Sequence, residues 1–139
     1  YYLKSDKLGL ISNALTIFVR HRLKAQKIKD LGIQMYKLND LEQHTNTADI
    51  IINTTPTNVL KSTIDYNIRQ QTIGFDVVYK PKGGTGFLNN FMPLKRIEGI
   101  HMLAHQAAPC FCAWFKEDGI EPEVDEGLLK VLYKKMEEK

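Results

Sequence analysis

Residues 99–114 read Gly-Ile-His-Met-Leu-Ala-His-Gln-Ala-Ala-Pro-Cys-Phe-Cys-Ala-Trp. The glycine closes a strand-like run that starts near Lys95, and a helix-period segment opens behind it, from about His101 to Lys116. A strand that passes through a glycine into a helix is the repeating unit of a parallel α/β sheet. Met102 and Gln106 lie four apart and so project from one face of that helix. A soft apolar side chain beside an amide can hold a flat ring and a hydroxylated ligand together. A core helix with one exposed amide satisfies the same pattern.

Upstream, the chain repeats this alternation. Residues 14–19, Ala-Leu-Thr-Ile-Phe-Val, predict a strand buried on both faces. Residues 22–31 predict a helix with Ala25, Ile28 and Leu31 on one side, stopped by Gly32. Ile33–Lys37 reads as a short strand, and Asn39 or Asp40 can cap a brief helix through His44. Ala48–Asn53 is a second buried run, leading into Thr54-Thr55-Pro56, where the proline keeps Thr55 out of a helix. Residues 73–79 predict a further strand, a Gly-rich loop occupies 83–86, and Gly119 ends the helix quoted first. Pro109 removes a backbone donor inside that helix and is expected to kink it. Val124, Leu128, Leu132 and Met136 predict an amphipathic final helix.

The expected fold is therefore α/β: a partial Rossmann-like, three-layer domain with a mainly parallel sheet. It lacks the first strand, Gly-rich loop and helix with which such domains open, because Tyr1–Asn13 holds no G-x-G-x-x-G. That stretch reads as the tail of a helix, so the natural chain is expected to begin upstream of Tyr1. The 139 residues, 43% hydrophobic and 25% charged, suffice for one domain over 1–139. No window is long and apolar enough for a membrane span, and the first residues lack the layout of a secretory signal. Cys110 and Cys112 face different sides of a helix and are not expected to pair, which fits a reducing, cytoplasmic compartment. Any organelle-targeting segment would lie upstream. The net charge of +3 is too small to argue for nucleic acid.

Positive charge is nonetheless local: Arg20, Arg22, Lys24, Lys27 and Lys29 cluster just past the first strand. In a dinucleotide site that turn meets the adenosine ribose, where a carboxylate takes the 2′-hydroxyl and an arginine accommodates a 2′-phosphate. The turn has no Asp or Glu, so NADP is favoured over NAD; Arg20 can fork onto phosphate oxygens, and Lys24 adds a point charge. A solvated basic face is the competing reading. Nucleic acid would require exposed aromatics among the cations, and Phe18, the nearest, reads as core. Side chains of the Asn53–Pro56 loop can reach ribose or pyrophosphate, or merely satisfy their own turn. Tyr79, at a strand end, can donate to a carboxylate, and Val77 can pack near a nicotinamide. His101 and His105 have the i, i+4 spacing of zinc pairs. Cys112 lies about 10 Å further along the axis, too far to share an ion, and no metal site is expected. Lys82–Gly86 lacks the full phosphate-loop pattern.

Gly99-x-x-Met102-Leu103-x-x-Gln106-Ala107-Ala108, followed by Phe111, Trp114, Gly119 and Pro122, resembles the shikimate dehydrogenase family. So do Asn53-Thr54-Thr55-Pro56, Asp76-Val77-Val78-Tyr79 and Arg20-(x)3-Lys24-Ala25. The likeness spans residues 14–136 and is to the family's C-terminal, NADP-binding half. It implies reversible hydride transfer between NADPH and 3-dehydroshikimate, giving shikimate, in a cleft between that half and an N-terminal substrate domain. By motif, Arg20 and Lys24 would clamp the 2′-phosphate, Thr55 would border adenosine and pyrophosphate, and Val77, Gly99 and Met102 would flank the nicotinamide. Tyr79 and Gln106 would reach substrate.

The family's catalytic lysine and aspartate belong to the substrate domain and have no counterpart here, so no catalytic residue is expected in this chain and the fragment alone should not turn over. Val19 and His21 stand where the family usually has asparagine and threonine. Lys80 replaces the asparagine of Tyr-x-Pro, the loop to Thr85 is a residue longer, and His101 replaces a glycine. The alternative from another class is a non-catalytic remnant of the fold, acting as a structural or interaction domain.

Overall fold

The computed structural model describes residues 14–21, 32–60, 66–79, 85–119 and 122–138. They fall into two compact units, Tyr1–Asn46 and Thr47–Lys139. In the first, the β-branched and aromatic run becomes β1 (Thr16–Val19), paired in parallel with β2 (Gln34–Lys37). Residues 20–33 supply the roughly dozen-residue crossover that a parallel pair requires. The helix expected over 22–31 lies outside the described residues, but Gly32, its expected stop, does take the left-handed conformation (φ 75°).

β1 is not buried on both faces: Thr16 is exposed and Ile17–Val19 are half-buried. Phe18 and Tyr36 are register partners, so their rings lie together on one face, with centroids 5.8 Å apart. His44 closes over both, at 5.4 Å and 4.3 Å. It arrives there at the end of a 3-10 helix, Leu38–Gln43. That helix starts earlier than the expected cap at Asn39 or Asp40. Lys37 holds the cap position, and Asp40, three residues on, accepts from the Lys37 N–H at 3.3 Å.

The second unit holds β3 (Ile50–Asn53), β4 (Ile73–Asp76) and β5 (Arg96–Glu98), in that order and all parallel. β3 stands at one end of this three-strand order among the described residues and is not the buried run expected: Ile50 and Ile52 are 55% and 52% exposed, while Asn53 is 2% exposed. Side chains alternate between faces, so a run of isoleucines reads as buried throughout when only one face is covered. Among the described residues of this unit, Leu60, Tyr66, Phe87, Leu88, Phe91, Ile100 and Ala104 form the buried apolar core. Phe91 packs on Phe87 (5.1 Å) and lies flat over Gly74, where any Cβ would overlap its ring.

Two strands end sooner than their apolar patterns suggest. β4 stops at Asp76 rather than Tyr79, because the Asp76 carboxylate accepts the Val78 N–H (3.1 Å) and turns the chain. β5 gives way at Gly99 to α1 (Gly99–Trp114), which begins two residues before the expected start at His101. α1 runs through Pro109 as one element and stops before Lys116; Lys116–Asp118 form a 3-10 turn, ended by Gly119 at φ 66°. From Gly99 to Trp114 it carries no Asp, Glu, Lys or Arg, and Leu103, Phe111 and Trp114 (75%) are exposed. Cys110 and Cys112 are both free thiols. Among the described residues, no helix is long and apolar enough to cross a membrane.

α2 (Glu126–Glu137) begins two residues after Val124, where Asp125 caps it by accepting the Leu128 N–H at 2.7 Å. Leu128, Leu132, Tyr133 and Met136 form its half-buried side. Tyr133 donates to the Glu98 carboxylate (3.0 Å), tying α2 to the residue that caps α1.

Burial first, then the hydrogen bond to Glu98, pushes the Tyr133 phenol up to about 12. A raised phenol pKa favours the neutral form in the folded state. Its contribution to stability is therefore complete below pH 10, the ordinary value, and is lost as pH rises toward about 12. Ultraviolet difference titration should show one late-titrating tyrosine, absent from Tyr133→Phe. That variant should lose part of the fall in stability between pH 10 and about 12.

Candidate functional site

Parallel pairing levels the strand ends of the second unit. Asn53 is opposite Asp76, and Asp76 is opposite Glu98. The next residues of all three strands, Thr54, Val77 and Gly99, thus leave the sheet at one edge. The carboxyl edge of a parallel sheet is where α/β proteins hold ligands.

Hydrogen bonds fix this edge. Asn53 Nδ2 donates to Asp76 Oδ1 (3.1 Å) and to the carbonyls of Thr55 and Thr57 (3.2 Å each). Asn53 Oδ1 accepts from the Thr55 N–H (3.1 Å) and hydroxyl (2.8 Å). One buried amide therefore shapes the whole Thr54–Thr57 bend. The Val77 N–H extends the strand pairing by donating to the Asn53 carbonyl (3.0 Å). Thr85 donates its hydroxyl to Asp76 Oδ2, which ties this residue of the Gly-rich stretch to the same point.

Gly99 is the close-approach residue. A Cβ there would overlap the Val77 carbonyl group and crowd the Asp76 carbonyl. With only hydrogens, the first residue of α1 rests on the β4 exit. Met102, one turn into α1, is half-buried, and Gln106, a turn further, is exposed. Tyr79 is exposed at the end of the turn that Asp76 makes.

The first unit has a cleft of its own, of about 270 Å³, lined by Val19, Arg20, Lys37, Leu38 and Asn39. The Val19–Lys37 register puts the two strand ends, and hence Arg20 and Leu38, side by side. Two cations, Arg20 and Lys37, two apolar side chains, Val19 and Leu38, and the amide of Asn39 line it among the described residues.

Of the residues expected from the sequence, Thr55, Val77 and Gly99 meet at one edge, with Met102 and Gln106 on the helix that starts there and Tyr79 at the end of the β4 turn. Arg20 lies in the first unit, in the cleft. Lys24 and Lys80 lie outside the described residues. Sequence reasoning gave no role to Asp76 or Thr85, although Asp76 opens a quoted motif and Thr85 ends the loop that follows it. It also missed Lys37, Leu38 and Asn39, for which the signal was available: in a parallel pair, the residue after each strand falls at the same edge. Among the described residues, no group of three or more His, Cys, Asp or Glu could hold a metal ion.

No family model matches the chain. Among curated proteins, it is 33% identical over 135 residues to the shikimate dehydrogenase (NADP(+)) of Methanocella arvoryzae, covering 84% of this chain and 47% of that protein. The enzyme of the same name from Pyrococcus furiosus is 32% identical over 117 residues (78% and 42%), and that of Pyrococcus abyssi 29% over 124 (86% and 45%). The chain belongs to the shikimate dehydrogenase family. It spans less than half the length of these relatives. Shikimate 5-dehydrogenase from Thermus thermophilus, solved in complex with shikimate, superposes with a TM-score of 0.54 at 23% identity, over 78% of this chain and 40% of that one. The shared fold is the partial Rossmann-like α/β arrangement with parallel strands.

In this shikimate dehydrogenase relative, the contact at Gly99 makes a firm demand. Its neighbour is backbone, which cannot rotate away. Gly99→Ala should destabilise the protein by about 3 kcal/mol, the upper end for overpacking, as a lowered urea midpoint with an unchanged slope.

Proposed function

We propose that this chain is the C-terminal, NADP(H)-binding domain of a shikimate dehydrogenase-type oxidoreductase interconverting 3-dehydroshikimate and shikimate. In this reading the substrate-binding domain, with the acid–base groups for proton transfer, is supplied from outside residues 1–139. The observation that carries the reading is the meeting of Arg20 and Lys37 along the first-unit cleft, in a chain whose relatives are named as NADP(+) enzymes.

The residues present suit that cofactor. The cleft is near the small end of ligand sites, about 300–1,000 Å³, so it matches one end of a dinucleotide rather than the whole. Arg20 offers a planar fork for a 2′-phosphate, which a ribose hydroxyl alone would not need. Lys24, four residues further along the sequence, adds a second point charge. Thr55, in a bend braced by Asn53, borders the adenosine and pyrophosphate. Val77, Gly99 and Met102 present apolar surface and a side-chain-free backbone to the nicotinamide, which, when bound, supplies or accepts the hydride. Tyr79 and Gln106, both exposed, orient substrate through hydroxyl and amide. None of these groups is a good proton donor or acceptor near neutral pH. The chain alone should therefore bind without turnover.

Calorimetric titration checks the cofactor. Arg20→Ala should weaken NADP⁺ binding by about 1.5–3 kcal/mol, the loss of a charge-assisted fork, and NAD⁺ far less. Equal losses would remove Arg20 from the site. In an enzyme completed with its substrate domain, Gln106→Ala should lower kcat/KM for shikimate and leave NADP⁺ affinity unchanged. An unaltered steady-state profile would return Gln106 to a structural role.

A further inference from the structure

Asp76 ends β4 with a carboxylate only 1% exposed. Both oxygens are engaged. Oδ1 accepts from Asn53 Nδ2 (3.1 Å) and the Val78 N–H (3.1 Å), and Oδ2 accepts from the Thr85 hydroxyl. Thr85 Oγ1 in turn accepts from the Leu88 N–H (3.4 Å), so the same point anchors the 3-10 turn Leu88–Asn90 and its buried Leu88. A buried carboxylate is costly unless hydrogen-bonded, and a helix-packing or strand position here would be served as well by an apolar residue. The three donors come from three segments: the end of β3, the turn after β4, and the segment entering the Leu88 turn. Two of those segments carry residues proposed to touch ligand, Thr55 through the Asn53 brace and Val77 with Tyr79 through the Val78 N–H.

We infer that Asp76 is a positioning residue that sets the Val77–Tyr79 turn, and with it Val77, for the nicotinamide end of the dinucleotide, while Asn53 itself braces the Thr55 bend. It does not touch ligand itself, since it has almost no accessible surface. Thr85 is its partner in this role: its hydroxyl bonds the second oxygen and so fixes the plane of the carboxylate that receives Val78. The inference rests on the proposed dinucleotide site. The Asp76 network lies wholly in the second unit, and the Arg20 cleft, proposed for the 2′-phosphate, lies in the first.

The test uses the 139-residue chain and two probes, NADP⁺ and adenosine 2′,5′-bisphosphate, the second of which carries no nicotinamide. Asp76→Asn keeps the shape but exchanges one acceptor for a donor. Thr85→Val removes the hydroxyl, and Thr85→Ser restores it. Asp76→Asn and Thr85→Val should each weaken NADP⁺ by about tenfold, the scale of one misplaced hydrogen bond, and leave the bisphosphate unchanged. Thr85→Ser should recover NADP⁺ binding. Amide NMR shifts in the free variants should move at Val77–Tyr79 while the remaining spectrum keeps its dispersion. If the parent binds both probes and the variants match it, the inference fails and the proposed site stands. If the variants lose both probes equally, or none of them folds, Asp76 serves folding only and the inference is overturned. If the parent binds neither probe, the proposed site falls and takes the inference with it.

Discussion

The hydrogen bond from Asn53 to Asp76 joins the last residues of two adjacent parallel strands, and the geometry of the sheet edge depends on it. Strand pairing alone would bring the backbones together and leave the next residues to wander. The Asn53 amide bridges to the Thr55 and Thr57 carbonyls, and the Asp76 carboxylate receives Val78 and Thr85. Two side chains thereby convert a register into a shaped surface. Gly99 then completes it from the third strand by standing close to the Val77 carbonyl.

The two regions of interest use different physics. Around Asp76 the named donors are neutral: an amide, a backbone N–H and a hydroxyl. Interactions of that kind are short-ranged, directional and little affected by salt. The Arg20–Lys37 cleft is cationic and open, and attraction there falls off over a Debye length of about 8 Å at physiological salt. Geometry is fixed at one region and charge is gathered at the other.

Much of this was legible in the sequence because apolar runs mark parallel strands and glycines mark their exits. The strands over 14–19, 33–37, 48–53 and 73–79 were readable in this way, as was the helix behind Gly99. What the pattern misplaced were boundaries and exposure. Asp76, Asp40 and Asp125 each moved an element's end by accepting a nearby backbone N–H, a competition that hydrophobic periodicity does not register. Ile50 and Ile52 look like core in a linear reading, because composition cannot say which face of a strand is covered. Thr55, Val77 and Gly99 were readable as a set because all follow strand ends. The Asp76–Thr85 pair was not, since the contact spans a loop whose path the residue types do not specify.

The uncharged stretch of α1 has one practical consequence. Trp114 is the chain's sole tryptophan and stands largely in water at the end of that helix. By helix rise it is roughly 22 Å along the axis from Gly99. Its emission colour therefore gauges the polarity around that far tip and nothing at the strand ends. The fold thus carries an intrinsic fluorophore that would shift blue when an apolar surface covers the tip and stay silent when a small molecule settles at the sheet edge.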